Sequence, residues 1–300
     1  MRRRHTKAQL AAATRAWDEA TLSNDYLFNR VMQQKHALLP TLQRLVPELA
    51  IKKLVHITTQ HSFKATYDSR GFRLNIFAED QNGRRLDLEM QVVNHHDLLK
   101  RAACYQAMMI DEQLEEGDFY QRLRPVYVIF ITMFDPFGGH HQVDHHRLYS
   151  EHADQQRLPS LVNYLFINAA SDDETTAPAL RRLCAFIRDG TVDPSDPLIL
   201  KLEQVQRKAK QNKKWRREAM RYNLAAQDAK WAELQAEEKG IERGMAKGMT
   251  KGMDQAMLAM IETLAEQGMP KEQIITTIAK ARKLSLLAAR QYYNQLMLSK

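Results

Sequence analysis

Residues 72–92 read FRLNIFAEDQNGRRLDLEMQV, two runs of alternating character on either side of a turn, which predicts a β-hairpin. RLNIF and LDLEMQV alternate as strands do, and Asn82-Gly83 between them is a strong short-range turn signal because both residues tolerate left-handed backbone. Side chains along a strand alternate between its faces, so Asp87, Glu89 and Gln91 share one side while Leu86, Leu88, Met90 and Val92 take the other. A carboxylate pair projecting from a sheet is how a metal-dependent hydrolase presents its ligands. An edge strand with a solvated polar face would show the same alternation.

Register decides what lies opposite the carboxylates. A two-residue Asn-Gly turn puts Asn75 across from Met90. A type I turn ending in Gly83 as a left-handed bulge residue, which DQNGR suits, puts Asn75 across from Glu89. In the second case Asn75 and Glu89 point the same way. Gln91 follows Glu89 by two residues and can hydrogen-bond water, but it can neither carry charge nor act as a base.

The rest of the chain supplies the setting. Three hundred residues with 44% apolar content suffice for a sizeable core plus an appendage. No run approaches the roughly 18 apolar residues of a membrane span, and the basic start MRRRHTKAQL lacks the apolar stretch of a signal peptide. A cytoplasmic protein without membrane partners is expected. Two cysteines, Cys104 and Cys184, make neither a disulfide framework nor a cysteine metal site. The net charge of +8 is compatible with a polyanionic partner. It is concentrated in 207-RKAKQNKKWRREAMR-221, where Lys213, Lys214, Arg216 and Arg217 are candidate phosphate contacts; a solvated helix face reads the same way.

Upstream of the hairpin, Ser23 or Asn24 can cap a helix carrying Leu27, Phe28, Val31 and Met32, with Asp25 in its first turn. A second helix is expected over 37–45, and residues 49–67 are ambiguous. Downstream, residues 97–115 have helical periodicity, with Leu98, Ala102, Tyr105 and Met109 on one stripe. Arg101 sits one turn before Tyr105, either facing an acidic or phosphate partner or snorkelling from the stripe's edge. PVYVIFIT (125–132) is almost wholly apolar, the mark of a strand covered on both faces and thus of α/β architecture. Further strands are expected over 145–151 and 161–167, and a short helix over 180–187. The histidine pairs 95–96, 140–141 and 145–146 are potential ligands, although such pairs in loops are ordinarily solvated.

Past Pro197 the composition predicts one long charged helix to Lys239. Gly240, Gly244, Gly248 and Gly252 then recur every fourth residue, with Met245, Met249 and Met253 after the last three. They suit either a weakly helical linker or a face for helix contact and homo-oligomerisation. Two or three short amphipathic helices finish the chain, either a packing appendage or a helix-turn-helix reader of DNA.

Three ordered stretches, SNDYLFNRVM, the hairpin with LDLEMQ, and KRAACYQAMMIDEQLEEGDFYQRLRPVYVIFI, together resemble the recombination-promoting nucleases of the Rpn type. These are transposases of the PD-(D/E)XK nuclease superfamily. The resemblance covers about residues 20–190, and the glycine-periodic segment and helical tail look like that family's variable C-terminal region. It implies a restriction-endonuclease-like α/β core, a mixed central sheet flanked by helices with a mostly helical C-terminal extension. It also implies Mg²⁺-dependent, or Mn²⁺-dependent, endonucleolytic cleavage of DNA phosphodiesters.

Carried over residue by residue, Glu89 is the glutamate of the motif, Gln91 stands in the lysine position, and Asp25 is the upstream acidic residue. Arg101 and Tyr105 line the cleft. The family's metal-binding aspartate falls at Asn75, a departure that Asp87, on the same face as Glu89, is placed to offset. Asn29 stands where related sequences carry lysine. The organisation expected is an arm over 1–20, the nuclease-like domain over 21–197, the charged helix over 198–239, and the glycine-periodic segment and tail over 240–300. A protein of the same fold without catalysis, serving as a DNA-binding or oligomeric interaction module, is the competing expectation.

Overall fold

In the computed structural model, which describes residues 6–63, 72–150 and 161–298, the apolar run after Pro125 is an inner strand of a mixed sheet. The elements run α1 (Lys7–Glu19), α2 (Asp25–Met32), α3 (Lys35–Leu45), β1 (Leu54–Phe63), β2 (Phe72–Asp80) and β3 (Arg85–Gln91). They continue with α4 (Leu98–Asp111), β4 (Val126–Thr132), β5 (Val143–His146), β6 (Val162–Asn168), α5 (Pro178–Asp189), α6 (Pro197–Gln211), α7 (Lys213–Glu266), α8 (Lys271–Arg282) and α9 (Leu286–Leu298). Among the described residues the six strands order as β1-β2-β3-β4-β6-β5. The pairs β1–β2, β2–β3 and β5–β6 are antiparallel, while β3–β4 and β4–β6 are parallel.

The pattern of β4 explains its place. Ile129 and Ile131 join a core with Leu86, Leu88 and Met90 of β3 and with apolar residues of α2, α3, α5 and α6. Val126, Val128 and Phe130 face the other way, against Leu98, Ala102, Tyr105 and Met109 of α4. Helices on both sides leave no polar face on this strand, hence the continuous apolar run. The parallel β3–β4 connection is long enough to carry α4, as a crossover requires.

Two expectations change and a third gains detail. The partly helical arm expected over 1–20 contains α1 and is docked: Trp17 of α1 is fully buried in the main core, and its indole N–H donates to the Lys210 carbonyl at 3.3 Å. The single long helix past Pro197 is two helices. Asn212, with ψ 110°, breaks them and caps the second, its Oδ1 accepting from the backbone N–H groups of Lys214 and Trp215 at 3.0 and 3.1 Å. The strand expected over 145–151 begins at Val143 and ends at His146; residue 151 lies outside the described residues, as do 64–67 of the ambiguous stretch that contains β1.

The chain divides into two compact units, residues 1–224 and 225–300. In the second, Ile261 from the end of α7 packs with Ile274, Ile275 and Ile278 of α8 and with Ala289 and Leu296 of α9. The four periodic glycines lie within α7, and nothing described stands within 4 Å of a Cβ built at any of them. Among the described residues no helix is long and apolar enough to cross a membrane.

Candidate active site

The hairpin turn settles the register. Gly83 adopts φ 73°, its N–H donates to the Asp80 carbonyl at 3.1 Å, and the Asp80 N–H donates to the Arg84 carbonyl at 3.1 Å. The Asp80 carboxylate fastens the loop, accepting from the N–H groups of Asn82 and Arg84 and from the Arg84 Nε at 2.8, 3.0 and 2.6 Å. This is the type I turn with a glycine bulge. It pairs Ile76 with Leu88 and Phe77 with Asp87, so Asn75 comes next, opposite Glu89. There the ladder between β2 and β3 ends. The Asn75 N–H donates instead to the Glu89 side chain, at 2.6 Å to Oε1.

The solvated-edge reading of β3 is excluded. The strand lies between β2 and β4, and Asp87 and Glu89 are 0% and 2% exposed. They share a face with Val128 and Phe130, their register partners on β4, beneath α4. From α4, Arg101 donates to Gln91 Oε1 at 2.6 Å and to Glu89 Oε2 at 3.3 Å. Its Nε and Nη2 also donate to the Tyr105 hydroxyl at 3.2 and 2.9 Å, one helical turn along. The guanidinium lies over the rings of Tyr105 and Phe130, 5.5 and 5.4 Å from their centroids. Gln91 is held at its other end as well, its amide donating to the Val93 carbonyl at 2.7 Å.

Asp25 opens α2, whose N-terminus is capped by Asn24 Oδ1 accepting from the Leu27 N–H at 3.0 Å. The Asn29 amide donates to the Asp25 carbonyl oxygen and carboxylate at 2.8 and 3.1 Å, leaving Asn29 Oδ1 buried without a hydrogen-bond partner. Tyr222 of α7 reaches Asp25 Oδ2 at 3.5 Å, which brings the basic run alongside this corner.

Burial dominates the electrostatics. It pushes Glu89 up to about 7, against the lowering effects of the Asn75 N–H and Arg101, and with a further raising effect from the Asp25 charge. Asp87 is held well above the usual carboxylate range by burial first and by the Glu89 charge second. Neither oxygen of Asp87 has a hydrogen-bond donor. The two carboxyl groups can bond to each other only when one carries a proton, because two carboxylates are both acceptors. Burial likewise pushes the Tyr105 hydroxyl up to about 12, with the Glu89 charge adding to it.

The structure therefore brings Asn75, Asp87, Glu89, Gln91, Arg101 and Tyr105 into one cluster, with Asp25 near enough for its charge to act on Glu89. Among the described residues no group of three or more His, Cys, Asp or Glu side chains converges as a metal cage. His95 and His96 are exposed, and His140 and His146 lie 3.5 Å from Asp135 and Asp144. In the basic run, Arg216 is committed to Asp18 at 2.8 Å, whereas Lys213, Lys214 and Arg217 are exposed. Lys214, Arg217 and Arg221 line a shallow groove of about 550 Å³ with Leu10 and Met220. A larger cavity of about 820 Å³ lies elsewhere, between α3, β5 and the start of α5; of the candidate residues, only His141 and His145 from the histidine pairs line it.

Two contributors carry no local signal in the sequence. Phe130 supplies a ring face under Arg101 from a strand that reads only as core, and Tyr222 touches Asp25 from a helix about 200 residues away. Asn75 stands out in the sequence for its side chain, yet its backbone N–H makes the contact.

A mixed six-stranded sheet covered by helices on both faces, with a helical C-terminal region, is consistent with a restriction-endonuclease-like fold. Residues 22–247 match the sequence model of the PD-(D/E)XK nuclease family transposases, and the chain belongs to that family. No curated protein and no solved structure matches it.

Proposed function

We propose that the chain is a divalent-metal-dependent DNA endonuclease that acts in recombination and hydrolyses phosphodiesters. The observation that carries this is the Asp87–Glu89 pair, buried on β3 where β2 parts from it, with both Asp87 oxygens lacking a donor. The donor set fits a hard cation: Mg²⁺ or Mn²⁺ is commonly held by one or two carboxylates, the remaining positions going to water and phosphate oxygens. Glu89 and Asp87 would hold it, with Asp25 adding charge from α2. Bound there, the cation would polarise a phosphoryl oxygen and activate water.

The chain's own groups do the rest. The Asn75 N–H and Arg101 orient Glu89. Gln91, clamped between Arg101 and the Val93 carbonyl, keeps Arg101 at the carboxylate. Lys213, Lys214 and Arg217 offer charge to the DNA backbone beyond the scissile position, while Arg216 is occupied by Asp18.

The second reading, a DNA-binding or oligomeric module on the same fold without turnover, is favoured by one residue. Asn75 is neutral where the resembled nucleases carry an aspartate, which removes a charged ligand. The exposed glycine and methionine stretch of α7 would then serve self-association. Plasmid nicking with Mg²⁺ or Mn²⁺, against EDTA controls, separates the two. Cutting by the native chain that Glu89→Ala abolishes supports the nuclease. Cutting only after Asn75→Asp supports the degenerate site. DNA retention without cutting by either protein supports the binding module.

A further inference from the structure

The cluster holds two buried carboxyl groups and one guanidinium, and their exposures differ. Asp87 and Glu89 are sealed, whereas the Arg101 side chain is 25% exposed and keeps one flank on solvent. Its contacts also differ in length. The bonds to Gln91 at 2.6 Å and to Tyr105 at 2.9 Å are short, and the contact with Glu89 at 3.3 Å is the longest that its two terminal nitrogens make. Arg101 can therefore let Glu89 go while Gln91, the Tyr105 hydroxyl and two ring faces still hold it.

We propose that Arg101 is an exchangeable internal cation, bound to Glu89 in the metal-free protein and surrendering it when a divalent cation enters. The proposal rests on the metal-dependent reading above. Two positive charges cannot share Glu89 Oε2 at contact distance without strong repulsion in a buried site. The guanidinium and the divalent ion thus compete for one oxygen. Once released, the planar fork of Arg101 faces the site's open side, where it matches a phosphodiester's oxygens. Arg101 is then a positioning residue: it keeps Glu89 in place before the ion arrives and meets the substrate afterwards. Arginine serves this exchange better than lysine, because its several donors allow one bond to break while others persist.

The test uses the full-length protein stripped with EDTA and titrated with Mn²⁺ alone in a calorimeter, comparing wild type with Arg101→Ala, Arg101→Gln and Glu89→Gln. Near-UV circular dichroism checks that each is folded, and Arg101→Gln retains a donor toward Gln91 and Tyr105 without the charge. Both Arg101 variants are expected to bind Mn²⁺ about tenfold more tightly, or better, since the competing charge is gone. Glu89→Gln should weaken binding by at least as much. Unchanged or weaker Mn²⁺ affinity in both Arg101 variants, with binding still lost in Glu89→Gln, overturns the exchange but leaves the metal-dependent reading standing. Absence of Mn²⁺ binding from wild type and both Arg101 variants overturns both. Tightening that persists when Arg101→Ala is combined with Glu89→Gln places the ion elsewhere and also overturns the exchange.

Discussion

Replacing Asp87 with asparagine should stabilise the metal-free protein at pH 8 while weakening its hold on metal. The side chain is 0% exposed and neither oxygen has a donor, so its charged form stands uncompensated beside Glu89. Asparagine keeps the shape, removes one charge and brings an N–H₂ that can donate to Glu89. The scale comes from Glu89, whose value rises from 4.5 to about 7. At about 1.4 kcal/mol per unit, ionising Glu89 inside the fold costs about 3 kcal/mol. A group raised on folding contributes stability that is complete below its unfolded value, about 4.5, and lost as pH climbs through its folded value, about 7. Asp87 is displaced in the same direction. The wild type should thus lose stability between pH 4.5 and 8, and Asp87→Asn should recover about 2 kcal/mol of it, because a buried carboxyl without a donor gives way to a neutral amide that donates to Glu89. For a unit of this size that corresponds to about 4–8 °C in melting temperature. Melting curves in EDTA at pH 5 and pH 8 measure it: the variant should gain at pH 8 and gain little or nothing at pH 5, where Glu89 is protonated. Destabilisation by more than about 1 kcal/mol at pH 8, or an equal shift at both pH values, would refute the uncompensated-carboxylate argument.

Core, turn and basic helix can each be probed separately. Trp17→Ala should cost about 3–5 kcal/mol, readable as an earlier urea midpoint at unchanged slope, because Trp17 is fully buried in the main core; a loss under about 1 kcal/mol would mean that α1 does not belong to that core. Gly83→Ala should cost about 1 kcal/mol, since the residue sits at φ 73° and an added Cβ would meet Arg124 Cγ at 3.3 Å. Lys214→Ala with Arg217→Ala should leave melting unchanged, both being exposed, and should flatten the log–log salt dependence of DNA binding by about 2; an unaltered slope would remove these residues from the DNA path.

Much of the hairpin is legible in the sequence. Alternation assigns Asp87, Glu89 and Gln91 to one face, and DQNGR suits the glycine-bulge turn that the structure shows. The apolar run 125–132 requires cover on both sides, and α4 on one face with α2, α3, α5 and α6 on the other provide it. The break at Asn212 is less legible, because high helix propensity on both sides hides a single residue whose side chain caps α7. The burial of Trp17 has no local signature, since a short amphipathic helix reads alike whether it is docked or free.

The sequence alone determined the alternation, the turn chemistry and the fold class, because these depend on residues within a few positions of one another. Whether the polar face of β3 was a wet edge or a buried site depended on its neighbours in the sheet, and tertiary structure decided that by placing β4 beside it and α4 above it. The same placement brought Arg101 onto Glu89 and Gln91, left both Asp87 oxygens without a donor, and set the Asn75 backbone N–H against the Glu89 side chain. Those contacts join elements distant in the chain, and only packing settles which of them meet.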